Sequence, residues 1–285
     1  MTYEDWLKDR QSTENLVENL VLAAEGAAKT PDDQNAKIAV IEQFKELPFS
    51  QRIWEVFFAN AFHLAGVKRI DKRPYATHPT RMALSCYSLA KGAMADDSAA
   101  PALLHDYLEE SGGISLESIA LLRKRLPNEP LAVPAAVFLS EPLIAYEKLG
   151  SPDDRSKLKR VAYIIQARDA LRRGFPQALA NASVVDKLDN LHDLGYLDKE
   201  TSQFKRSLKI AQRLAFFKLT HFEIGTYASP KFSSVLADAI TARAREFKIE
   251  TLVSAELESL VSMMEQTESA IEDMIVHYHK NIEPD

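Results

Sequence analysis

Apolar residues recur along this chain at i, i+3, i+4 and i+7, while apolar/polar alternation with a period of two is almost absent. That spacing is the signature of helices that each bury one face. Leu16, Leu20, Val21 and Ala24 share one face of a first helix; Ile53, Val56, Phe57, Ala61 and Leu64 share one face of a later one. The pattern predicts further helices over roughly 78–92, 98–109, 115–126, 156–173, 178–194, 200–223, 232–245 and 250–280. Turn signals separate them: Thr30-Pro31-Asp32-Asp33, Lys72-Arg73-Pro74, Ser111-Gly112-Gly113, Gly150-Ser151-Pro152 and Gly174-Phe175-Pro176. Ser115, two residues before Glu117, and Ser151-Pro152-Asp153-Asp154 read as helix starts. No internal repeat, low-complexity tract or sustained heptad interrupts this order, so the expectation is an all-α fold.

Composition narrows the class. With 285 residues, 46% hydrophobic and 27% charged, the chain can bury a core without a metal or disulfide staple. The single cysteine, Cys86, excludes an intramolecular disulfide and a thiolate cluster, and is expected to be an inert core residue. The longest apolar run, 131–139, has nine residues and contains a proline, against the roughly 20 a spanning helix needs. The charged N-terminal stretch has no apolar run ahead of a small-residue cleavage site, so a cytoplasmic protein with no membrane partner is expected. A net charge of -6 argues against a nucleic-acid partner. It leaves room for a small anionic substrate, because a metal and a few cations reverse the potential inside one pocket.

Of the chain's histidines and carboxylates, three tight packets stand out. Tyr75-Ala76-Thr77-His78-Pro79 places a histidine at a helix start, with proline at the first helical position. Ala102 to Glu110 reads Ala-Leu-Leu-His-Asp-Tyr-Leu-Glu-Glu. His105 and Asp106 lie about 100° apart on a helix and can reach one ion over that edge; Glu109 and Glu110 follow on the same side. Val185 to Leu194 puts Asp186, Asn190 and Asp193 on one helical stripe. Two imidazoles and two carboxylates form a mixed nitrogen/oxygen donor set suited to Mn²⁺, Fe²⁺ or Zn²⁺. Such an ion acidifies water and neutralises a phosphate oxygen. His192 and Asp189 fall on other faces of the third packet, as solvated or supporting residues. His277 and His279, the basic runs 123–125 and 157–160, and Arg172-Arg173 read as surface.

These packets, in the order His, His-Asp, Asp, resemble the HD hydrolase domain of the RelA/SpoT family and its small stand-alone alarmone hydrolases. The similar stretches are Arg69 with Pro74 to Pro79, then Ala102 to Glu110, then Val185 to Leu194, within roughly residues 55–215. The resemblance implies an HD-domain helical bundle with additional N- and C-terminal helices. Its boundaries would be one helical domain over 1–285, a hydrolase core at 50–225 and helical extensions at 1–49 and 226–285. It also implies metal ligands His78, His105, Asp106 and Asp186, the acidic pair Glu109 and Glu110 at the attacking water, and substrate contacts from Asn190, Arg69, Lys72, Arg73 and Tyr75. The implied reaction is Mn²⁺-dependent removal of the 3′-pyrophosphate from (p)ppGpp.

The chain departs from the family pattern at several places. Glu110 stands where the family has aspartate, Ser183 where it has lysine, and Asp71-Lys72-Arg73 replaces its Ser-Gly-acid loop. The distance from His63 leaves Lys68 and Arg69 as alternatives for the pocket cation. These departures keep two further readings open: an HD phosphohydrolase of (p)ppApp or another nucleotide, and a non-catalytic regulator of the same fold that binds a nucleotide or a protein. The terminal helices are a candidate homodimer contact.

Overall fold

The computed structural model describes residues 1–69, 72–109, 115–140, 146–192, 194 and 202–282, without the side chains at 108–109, 116, 146–147 and 277–282. Glu110, Asp71, Asp193 and the turn at 111–113 therefore lie outside the described residues, as do the side chains of Glu109, His277 and His279. Twelve α-helices are described, with two short 3₁₀ turns and no strand; an isolated bridge between Lys68 and Pro74 is the extended pairing present among the described residues. The fold is all-α, with helices flanking those that carry the three packets.

The chain forms two compact units, Glu4–Ser140 and Glu141–Glu283. The first contains α1 (Tyr3–Ala27), α2 (Gln34–Gln43), α3 (Gln51–His63), α4 (Thr77–Leu89), α5 (Ala93–Glu109), α6 (Leu116–Arg125) and α7 (Ala132–Leu139). Side-chain caps open several of them, each satisfying an N–H left over in the first turn. Asp33 caps α2, Ser50 caps α3, and Ser115 caps α6 in a reciprocal box with Ser118. α3 buries Ile53, Val56, Phe57 and Ala61 against α5. α5 is rich in buried alanine (Ala95, Ala99, Ala100, Ala102), which lets α4 pack closely along it. α1 is part of this core. Trp6, Val17, Leu20, Val21 and Ala24 are buried, and the Trp6 indole donates to Ser85 on α4. Cys86 is buried, as expected.

The second unit contains α8 (Arg155–Arg172), α9 (Gln177–His192), α10 (Gln203–Glu223), α11 (Pro230–Phe247) and α12 (Glu250–Ile282). α9 is buried from Leu179 to Asp189 without a break and packs against α11, α8 and α10; α12 packs along α10 and α8. Arg168, 4% exposed, crosses this layer and is held by Glu223 of α10 and by Glu268 and Glu272 of α12. None of the described helices is long and apolar enough to cross a membrane.

Candidate metal centre

In the first unit, the loop before α4 is wound tightly onto the helix start. Thr77 donates through its hydroxyl to the Pro74 carbonyl (2.7 Å), His78 N–H to Tyr75 (3.2 Å), and the Thr80 hydroxyl to Ala76 (2.7 Å). The helix opens at Thr77, so Pro79 is its third residue rather than its first. The substitution of ring for N–H still costs nothing, because the third N–H of a helix also lacks an intrahelical acceptor. This anchoring sends His78 inward, 4% exposed. On α5, His105 and Asp106 are buried as well, and the His78 and His105 rings meet edge to face with centroids 5.3 Å apart.

The two nitrogens of His105 differ in function. Nδ1 lies 2.9 Å from the Ala102 carbonyl, which can only accept, so Nδ1 carries the proton. Nε2 lies 3.0 Å from Oδ1 of Asp106, while Oδ2 of Asp106 is 4.0 Å from Nε2 of His78. Imidazole nitrogens this close to a carboxylate form a mixed nitrogen/oxygen donor set. A ring nitrogen fixed by a backbone carbonyl is also the usual support of a metal-ligating histidine. Ser140, at the end of α7, donates to the His105 carbonyl (2.6 Å) and ties α7 to α5 at His105. Nothing in the sequence pattern marks Ser140, since the contact spans 35 positions.

In the second unit, Asp186 on α9 is 8% exposed. Its Oδ1 accepts from Asn190 Nδ2 one turn on (2.6 Å), and its Oδ2 accepts from Lys187. Burial works to lower the pKa of the Lys187 ammonium, but Asp186 beside it outweighs burial and holds it above the usual 10.5, so the group is charged. Tyr163 of α8 shares a hydrogen bond with Ser183 (3.0 Å), the residue that departs from the family's lysine, and burial raises its pKa. Asp189, read from the sequence as solvated or supporting, is fully buried.

One ligand atom from each of His78, His105 and Asp186 lies within 4.8 Å of the other two, and all three residues are buried. Among the described residues this is the one such group of histidines and acids. Two imidazoles and a carboxylate at this spacing can chelate a divalent cation.

Arg69, Lys72, Arg73 and Tyr75 lie on the segment that leads into α4. Arg73 is half-buried and paired with Glu14, Arg69 and Tyr75 are half-buried, and Lys72 is exposed with a left-handed backbone (φ 70°). The loop is closed by Arg69 N–H to Arg73 O (3.0 Å) and Tyr75 N–H to Val67 O (2.8 Å). His63 stacks on Tyr107, the residue after Asp106, with centroids 3.9 Å apart, and Arg125 donates to the Tyr107 hydroxyl.

The fold and cluster define a class: an all-α protein with a buried His–His–Asp set able to hold a divalent metal ion. No protein-family model matches the chain, and neither a curated protein nor a solved structure matches it.

Proposed function

We propose that the chain is an HD-type, metal-dependent phosphohydrolase that removes the 3′-pyrophosphate from (p)ppGpp-like alarmone nucleotides. The proximity of His78, His105 and Asp186 carries the metal-dependent part of this reading, and the resemblance of the three packets carries the substrate. Asp106, against Nε2 of His105, is the fourth ligand in this proposal, and Mn²⁺ the preferred ion. When bound, the ion supplies Lewis acidity toward a phosphate oxygen and lowers the pKa of water.

The chain's own groups do the rest. Glu109 or Glu110 orients the attacking water and takes its proton. Asn190, whose Nδ2 already serves Asp186, has its carbonyl oxygen left for the nucleotide. Arg69, Lys72 and Arg73 offset the phosphate charge, with Tyr75 beside them. Water replaces the ribose 3′-oxygen on phosphorus, releasing GDP or GTP and pyrophosphate.

The direct test is pyrophosphate release from ppGpp and from ppApp, side by side, with Mn²⁺ and then with chelator. Chelator-sensitive release from ppGpp is expected. Release from ppApp alone would reassign the base. Tight nucleotide binding without turnover would make the chain a regulator.

A further inference from the structure

Lys187 is an unusual residue to find 4% exposed on a helix, because its flexible stem normally carries the ammonium to water. Here the ammonium is enclosed. Asp186 accepts from it on one side, and on the other it stands over the ring of Tyr163 on α8, 4.3 Å from the centroid, and over Phe216 on α10, 5.1 Å from the centroid. A buried ammonium persists where a carboxylate and aromatic faces replace its water. The same contact acts on Asp186. A carboxylate turns easily about its last bond, but here each oxygen receives its own donor, Lys187 at Oδ2 and Asn190 at Oδ1. Two donors on different oxygens together aim the carboxylate.

We infer that Lys187 is a positioning residue for the metal centre: its ammonium, caged by Tyr163 and Phe216, sets the orientation in which Asp186 meets the ion. This rests on the metal-site reading above. The cage also gives a physical reason for two aromatic residues from separate helices to converge on one charged side chain beside a ligand.

The test is calorimetric titration of chelator-treated full-length protein with Mn²⁺, comparing the unaltered chain with Asp186→Asn, Lys187→Met, Lys187→Arg and Phe216→Leu. Thermal unfolding is followed in parallel. Asp186→Asn should lose Mn²⁺ binding. Lys187→Met should weaken it about 10- to 100-fold, the usual cost of removing a group that orients a ligand, and Lys187→Arg should recover most of that loss. A purely structural lysine would lower the melting temperature and leave the Kd of the folded protein unchanged, which would overturn the inference. Phe216→Leu leaves every charge in place and covers the case in which Lys187→Met does not fold. It should weaken binding several-fold, and an unchanged Kd there also counts against the cage. An unaltered chain that binds no Mn²⁺, or binds it as well after Asp186→Asn, would overturn the metal-site reading itself.

Discussion

His105 shows how much a single side chain can be asked to do. Its Nδ1 is held by a backbone carbonyl and its own carbonyl accepts from Ser140, which fixes the ring with Nε2 beside Asp106. His105→Ala should therefore abolish Mn²⁺ binding and turnover while circular dichroism stays helical. Full activity in this variant would remove His105 from the site. His221 behaves differently. Burial lowers its pKa below the usual 6.5, and it faces Ser233 of α11. The unfolded chain thus takes up this proton at higher pH than the folded one. The stability His221 contributes is fully present above pH 6.5 and is lost as pH falls through the lowered value. Urea midpoints at pH 7.5 and 5.5 should differ, and His221→Gln should reduce the difference. An identical slope in both proteins would assign the acid sensitivity elsewhere. The clustered histidines and Asp186 were legible in the sequence because each lies in a short packet flanked by apolar residues. Lys187, Tyr163, Phe216 and Ser140 were not, because their partners come from other helices.

Among the helices, legibility followed amphipathicity. α3, α10 and α11 bury one stripe of residues and expose the other, and their spacing predicts them to within a few residues. α7 (Ala132–Leu139) is buried at every position, so the apolar run around it has no period to read, and Pro134 argues against a helix. That proline sits in the first turn, where its missing N–H is tolerated. α2 is short and buries Val40 alone, which leaves too little pattern to detect. The end of α10 depends on one small residue. Gly225 N–H closes back on Thr220 (3.1 Å), and a Cβ at Gly225 would lie 2.5 Å from the His221 carbonyl oxygen. Gly225→Ala should cost about 1–3 kcal/mol, the usual range for forced overpacking. Because the obstructing atom is backbone, the loss should show as a lower denaturant midpoint with an unchanged slope. A neutral result would mean that the turn can open without cost.

For the molecule as a whole, the metal should act as a stabilising ligand. An ion that binds the native state alone, present at one hundred times its Kd, adds about 2.7 kcal/mol. Mn²⁺ should accordingly raise the melting temperature of the chain, chelator should reverse the rise, and Asp186→Asn should be insensitive to both. A melting temperature indifferent to Mn²⁺ in the unaltered chain would argue that the ion does not reside at His78, His105 and Asp186. By itself the sequence determined the helical class, most helix positions, the exclusion of disulfide and thiolate chemistry, and the identity of the histidines and aspartates worth testing. All of these depend on spacing within one helix or on counts of residue types, which are local quantities. The tertiary structure alone decided that His78, His105 and Asp186 share one small volume, that α1 belongs to a core, and that an ammonium is caged beside a carboxylate. These depend on side chains brought together from distant positions, a three-dimensional arrangement that no local period encodes.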